Sequence, residues 1–185
     1  ALRFNSTASN NTAVGFESLK ANTTGAYSTA VGIGALYSNE SGYSNNTAVG
    51  VNALYDNTTG YSHVAIGLSA LRNNTIGHYN VAVGVQALEA NEAGSNNTAI
   101  GTRALFNNVV GDHNGANTAT GYESLYTNEI GSNNTAHGWQ SLRYTTANYN
   151  TAIGSDSQKF CIGGGSNTAA GYQALFSNTE GDYNI

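Results

Sequence analysis

The chain has 185 residues, of which only 9% are charged, and its formal net charge is −5, so it lacks the basic stripe that nucleic acid demands. It contains no Pro, no Met and a single Cys, Cys161, which excludes an internal disulfide framework and leaves that thiol as a small apolar filler or, in a fibre, a cross-link between chains. No stretch approaches the ~20 apolar residues of a membrane span, no signal peptide is visible, and the unfinished repeat at Asn184-Ile185 suggests a fragment of a longer fibrous chain.

From the N-terminus onward, Asn-Thr-Ala-Val-Gly or a near copy occurs ten times, almost always 17 residues after the last. Its second residue falls at Thr12, Thr29, Thr47, Val64, Val81, Thr98, Thr118, Thr135, Thr151 and Thr168, and the next residue is always Ala. A period this short is one coil of a solenoid, so residues 1–185 read as a single parallel β-solenoid repeat domain of all-β class. Ten coils stacked at about 4.8 Å make a rod of roughly 50 Å.

Within a coil, Thr-Ala-Val alternates with period two and predicts a short strand, Thr12 and Val14 facing one way and Ala13 the other. A Leu column follows, from Leu19 to Leu175, and the residue before each Leu is small, as a tightly packed place requires. Only the ninth coil, 150–166, lacks its Leu. The segment through Ala-Leu to Asn22, Asn39, Asn57, Asn74 and their equivalents reads as one helical turn closed by a left-handed Asn, although a second bent strand fits the same periodicity. A second Gly (Gly25, Gly42, Gly60) then turns the chain toward the next strand. Departures from the period fall in turns, where insertion is cheap: three extra residues lie in 111–116, and one is lost around 145–148.

The apolar content of one coil is small, so stacking hydrogen bonds must contribute heavily. If Ala and Leu fill a narrow interior, the Thr/Val pair points outward as a half-apolar strip. Burying that strip between chains is a physical motive for an oligomer.

The repeats Asn97 to Gly101 and Asn150 to Gly154 resemble the head repeats of YadA-like trimeric autotransporter adhesins. The whole unit, as in Asn167 to Gly181, is still more similar to repeat arrays of tail-fibre-type proteins. The resemblance covers the whole chain and implies a left-handed parallel β-roll, a homotrimer, and a role in attachment outside the cell, on a cell surface or on a virion. Adhesin head repeats are nearer 14 residues, and the Ala-Leu pair with its Asn turn is an addition here.

Catalytic and ligand-binding signals are sparse. His63 and His137 substitute within repeat slots, His78 and His113 sit at unrelated columns, and no nucleophile-base pair can be nominated. Asp112, Asp156 and Asp182 lie near Gly, but a calcium roll needs an acid in every copy. Gly163-Gly164-Gly165 has no Lys-Ser/Thr behind it and is no phosphate loop. No enzyme, cofactor or metal is expected. The column after Leu mixes aromatics with charges and is therefore expected to be exposed: Tyr37 and Tyr55 would stack on adjacent coils, as would Phe106 and Tyr126. Those four are the candidate binding surface, for a cell-surface glycan or protein receptor, against the plainer reading that Tyr covers the coil edges. A second aromatic set sits in the turns at Tyr27, Tyr43, Tyr61, Tyr79, Tyr149 and Tyr183.

Three functions compete on these grounds. A structural or adhesive rod of a surface adhesin or phage tail fibre predicts an oligomer with buried Thr/Val strips. A self-assembling extracellular filament shares the architecture but joins rods end to end. An ice-binding solenoid predicts a monomer with an exposed Thr/Val face, which the Val residues at Thr positions weaken.

Overall fold

A computed structural model describes residues 1–40, 42, 44–109 and 115–185 of the chain. The expectations placed on Tyr43, Gly111, Asp112, His113 and Asn114 lie outside the described residues. Among the described residues are twelve strands: β1 (Thr12–Val14), β2 (Thr29–Val31), β3 (Thr47–Val49), β4 (Val64–Ile66), β5 (Val81–Val83), β6 (Thr98–Ile100), β7 (Thr118–Thr120), β8 (Thr135–His137), β9 (Tyr144–Thr145), β10 (Thr151–Ile153), β11 (Phe160–Cys161) and β12 (Thr168–Ala170). Ten of them form one parallel sheet in the order β1-β2-β3-β4-β5-β6-β7-β8-β10-β12, with β9 and β11 pairing separately. The chain is a parallel β-solenoid.

The register is set by the repeat. Thr12 opposes Thr29, Ala13 opposes Ala30 and Val14 opposes Val31, and the same columns continue coil by coil. The middle Ala of every strand of the ten-stranded sheet from β2 onward is buried, while the residues on either side face outward. The outward orientation of the Thr/Val pair is therefore as expected.

The helical turn is not. No helix occurs among the described residues. The backbone N–H of each column Leu from Leu19 to Leu142 is committed to the next coil instead of to the preceding turn: Leu19 donates to Ala35 O at 3.1 Å, Leu36 to Ala53 O at 2.9 Å, and Leu54 to Ala70 O at 2.9 Å. Each Leu and the residue two before it has φ between +46° and +64°. β-branched residues tolerate that region worst, which accounts for Leu rather than Val or Ile at this core position. In the ninth coil Gln158 occupies the same slot, with φ +46° and no exposure.

The Asn column also differs from expectation. None of Asn22, Asn39, Asn57 or Asn74 has positive φ; in this half of the coil the left-handed residues are Asn10, Tyr27, Asn45 and their equivalents just before the leading Asn. Asn22 and its equivalents as far as Asn128 point inward and are fully buried, and Asn178 at the end of the column is half-buried. Asn39 Nδ2 donates to Asn22 Oδ1 at 3.0 Å, Asn74 to Asn57 at 2.9 Å, Asn91 to Asn74 at 2.8 Å and Asn108 to Asn91 at 2.8 Å. The leading Asn column forms a second internal ladder, in which the backbone N–H of Asn97 donates to Asn80 Oδ1 at 2.9 Å and that of Asn134 to Asn117 Oδ1 at 2.9 Å. The interior thus pairs an Ala/Leu core with two columns of amides bonded to their own copies. A buried amide is tolerated only when bonded, and the repeat places an identical partner directly above and below.

The strand-ending glycines allow the coils to approach this closely. A Cβ at Gly50 or Gly67 would lie under 3 Å from the backbone of the next coil's Gly, and both have φ above +130°.

Candidate interaction surface

The edge carrying the four candidate residues is built by the turn after each Leu, which sends the following side chain out of the coil. Tyr37 and Tyr55 stack with centroids 4.7 Å apart, and Phe106 and Tyr126 with centroids 5.2 Å apart at an 8° interplanar angle. All four are half-buried, where full exposure was expected. The reason is mutual cover: each ring spends a face on its neighbour, and cations cap the stacks. Lys20 Nζ lies 5.3 Å from the Tyr37 centroid, Arg72 lies 6.0 Å from Tyr55, and Arg143 lies 5.3 Å from Tyr126 and 4.8 Å from Tyr144. These contacts fasten coil to coil along one edge. They leave ring edges, and few ring faces, for a partner.

Among the turn aromatics, Tyr27, Tyr79, Tyr149 and Tyr183 are exposed and occupy the left-handed position, whereas Tyr61 stacks on His78 at 4.0 Å. Tyr61 and Tyr79 also meet edge to face, with centroids 5.2 Å apart.

A column that sequence reading passed over is the larger feature. The residue after the strand-ending Gly is bulky and outward in most coils, Thr102 and Ser155 being the exceptions: Phe16 is 70% exposed, Ile33 54%, Val51 40% and Leu68 48%. It runs beside the Val column, where Val14, Val31, Ile66 and Ile100 are also exposed. The signal was present as an apolar residue at one repeat position, but it was masked by variation among Phe, Ile, Val, Leu, Tyr and Trp. Together these side chains expose two adjacent apolar columns over the first six coils, and extended exposed apolar surface of this kind marks an interaction face.

The titratable residues do not assemble into chemistry. His63 takes a leading Asn slot and is buried; its Nδ1 accepts the Asn80 backbone N–H at 3.2 Å, and burial holds its pKa at about 4, below the usual 6.5. His137 stands exposed in a Val slot of β8. Cys161 takes an inner Asn slot, is fully buried, and donates to Gly164 O at 2.9 Å; burial pushes its thiol pKa up. No group of three or more His, Cys, Asp or Glu able to hold a metal occurs among the described residues. Nor, among them, is any helix long and apolar enough to cross a membrane.

No protein-family model, curated protein or solved structure matches this chain.

Proposed function

We propose that this solenoid is a structural and adhesive rod, part of an extracellular attachment fibre of the surface-adhesin or tail-fibre kind, in which copies of the chain lie side by side as a homotrimer. The observation that carries the reading is the in-register stripe of Val14, Val31, Val49, Ile66, Val83 and Ile100 with Phe16, Ile33, Val51 and Leu68 beside it. A straight apolar seam repeating at the coil spacing fits a second identical rod, because each coil then meets the same chemistry at the same height. Burying it contributes about 25 cal/mol per Å² before the entropic cost of association. Aligned coils stiffen one another, which suits a part that holds a binding surface away from its base.

The mass of the folded chain by light scattering after size exclusion tests this. Three chains are expected. A monomer that keeps the stripe wet overturns the reading and favours the ice-binding alternative, although bulky Phe16 and Leu68 beside the Thr/Val ladder make a poor flat template for ice. An open series of masses favours the end-to-end filament.

A further inference from the structure

The stripe changes character on two adjacent coils. Up to β6 the strand ends in Val or Ile; β7 ends in Thr120 and β8 in His137, and the residues after the next Gly become Tyr122 and Trp139. Both rings are 42% exposed, 5.2 Å apart at centroid and inclined by 50°. Unlike Phe106 on Tyr126, they do not use up each other's faces.

Beside them lies a built polar cluster. Glu123 is nearly buried, yet its carboxylate is held by Arg143 at 2.7 Å, by Gln140 Nε2 at 2.9 Å and by Arg103 at 3.8 Å. Arg103 is fixed through its Nε to Gln86 Oε1 at 3.0 Å, which leaves its side chain 43% exposed at the outer end. One carboxylate is thus shared between two guanidiniums. That places a surplus positive charge beside two open aromatic rings, on a chain whose net charge is −5.

We infer that coils six to eight bind a carboxylated pyranose, the sugar ring lying on Trp139 and Tyr122 and its carboxylate pairing with the exposed end of Arg103. The apolar face of a pyranose suits an aromatic platform, and a guanidinium recognises a carboxylate with two parallel N–H donors. Gln140 and His137 flank the platform with hydrogen-bonding groups for ring hydroxyls. Thr120 and His137 in place of Val and Ile also disfavour closing this stretch against another rod. The inference gives the attachment reading its ligand class and rests on that reading for its biological sense.

Trp139 is the only Trp in the chain, so its fluorescence reports this site alone. The intact protein is titrated with trigalacturonate and with 3′-sialyllactose, two different carboxylated pyranoses, and with lactose and maltotriose as neutral controls. A saturable change with at least one acidic probe is expected, with the neutral sugars weaker by about tenfold or more. Tyr122→Ala and Arg103→Gln should each lose the response, whereas Arg72→Gln on the stacked-ring edge should retain it. No saturable change with either acidic probe overturns the inference, as does an equal response to neutral sugars. Trp139 shielded from acrylamide before any sugar is added overturns it too, because a second copy would then cover the face. The light-scattering mass of the same sample separates each of these outcomes from failure of the rod assembly.

Discussion

Asn74 Nδ2 donates to Asn57 Oδ1 at 2.9 Å inside the coil, and Asn91 Nδ2 donates to Asn74 Oδ1 at 2.8 Å, so one amide both gives and receives along the rod axis. Each member satisfies a group that would otherwise be buried and unbonded.

Removing this rung therefore takes a partner from Asn57 Oδ1, Asn91 Nδ2, Gly77 O and His63 Nε2. Asn74→Ala should destabilise by about 2–4 kcal/mol, since an orphaned buried amide costs about 1–3 kcal/mol. Asn22→Ala, near the open end of the ladder, should be milder. Urea unfolding midpoints of the two variants against the parent check the order.

His63 interrupts the other ladder and introduces pH dependence. Its folded pKa of about 4 lies below the ordinary 6.5, so the unfolded chain binds the extra proton first. The stability it allows is complete above pH 6.5 and is lost as the pH falls toward 4, by about 3 kcal/mol over the whole span. His63→Asn restores the repeat residue and should flatten this part of the profile. Unfolding midpoints of both proteins from pH 7 to pH 4 provide the check.

The Gly columns give a steric contrast. Gly67→Ala combines φ of +134° with a Cβ pressed into the backbone of Gly84 and should destabilise by more than about 3 kcal/mol. Gly171→Ala meets nothing within 4 Å and should show only the backbone strain, about 1–3 kcal/mol. Thermal midpoints should separate the two variants clearly.

Association should respond to the stripe. Val31→Lys and Ile66→Lys place charges on outward positions that touch no buried core, so each fold should persist while assembly weakens. Circular dichroism unchanged alongside a lowered light-scattering mass is the expected pair of readings.

Cys161 is sealed in an inner Asn slot, with its thiol pKa raised by burial. It should react with a thiol reagent only after denaturant is added, and the folded protein should form no intermolecular disulfide. Reaction kinetics with and without urea measure this.

Much of the architecture was legible because identical short units leave few alternatives. Ala13 to Ala169 and Leu19 to Leu175 mark an interior, and Thr12 with Val14 mark an outward face. The inner Asn ladder was not legible: a single Asn after a Leu is a good turn-former, and only its bonded copy one coil away makes burial the better outcome. Likewise the half-burial of Tyr37 and Tyr55 follows from rings and cations closing over one another. The Trp139–Tyr122–Arg103 cluster escaped notice because its members lie at two repeat columns and on three coils.

By itself the sequence determined the solenoid, its register and the outward Thr/Val pair, since a 17-residue period with unvarying Ala and Gly admits one stacking. Only the tertiary structure decided which polar groups went inside, that the Leu turn was not helical, and where the apolar stripe gave way to aromatics beside Arg103. Those outcomes depend on hydrogen bonds and contacts between coils, and such partners exist only once the coils are stacked.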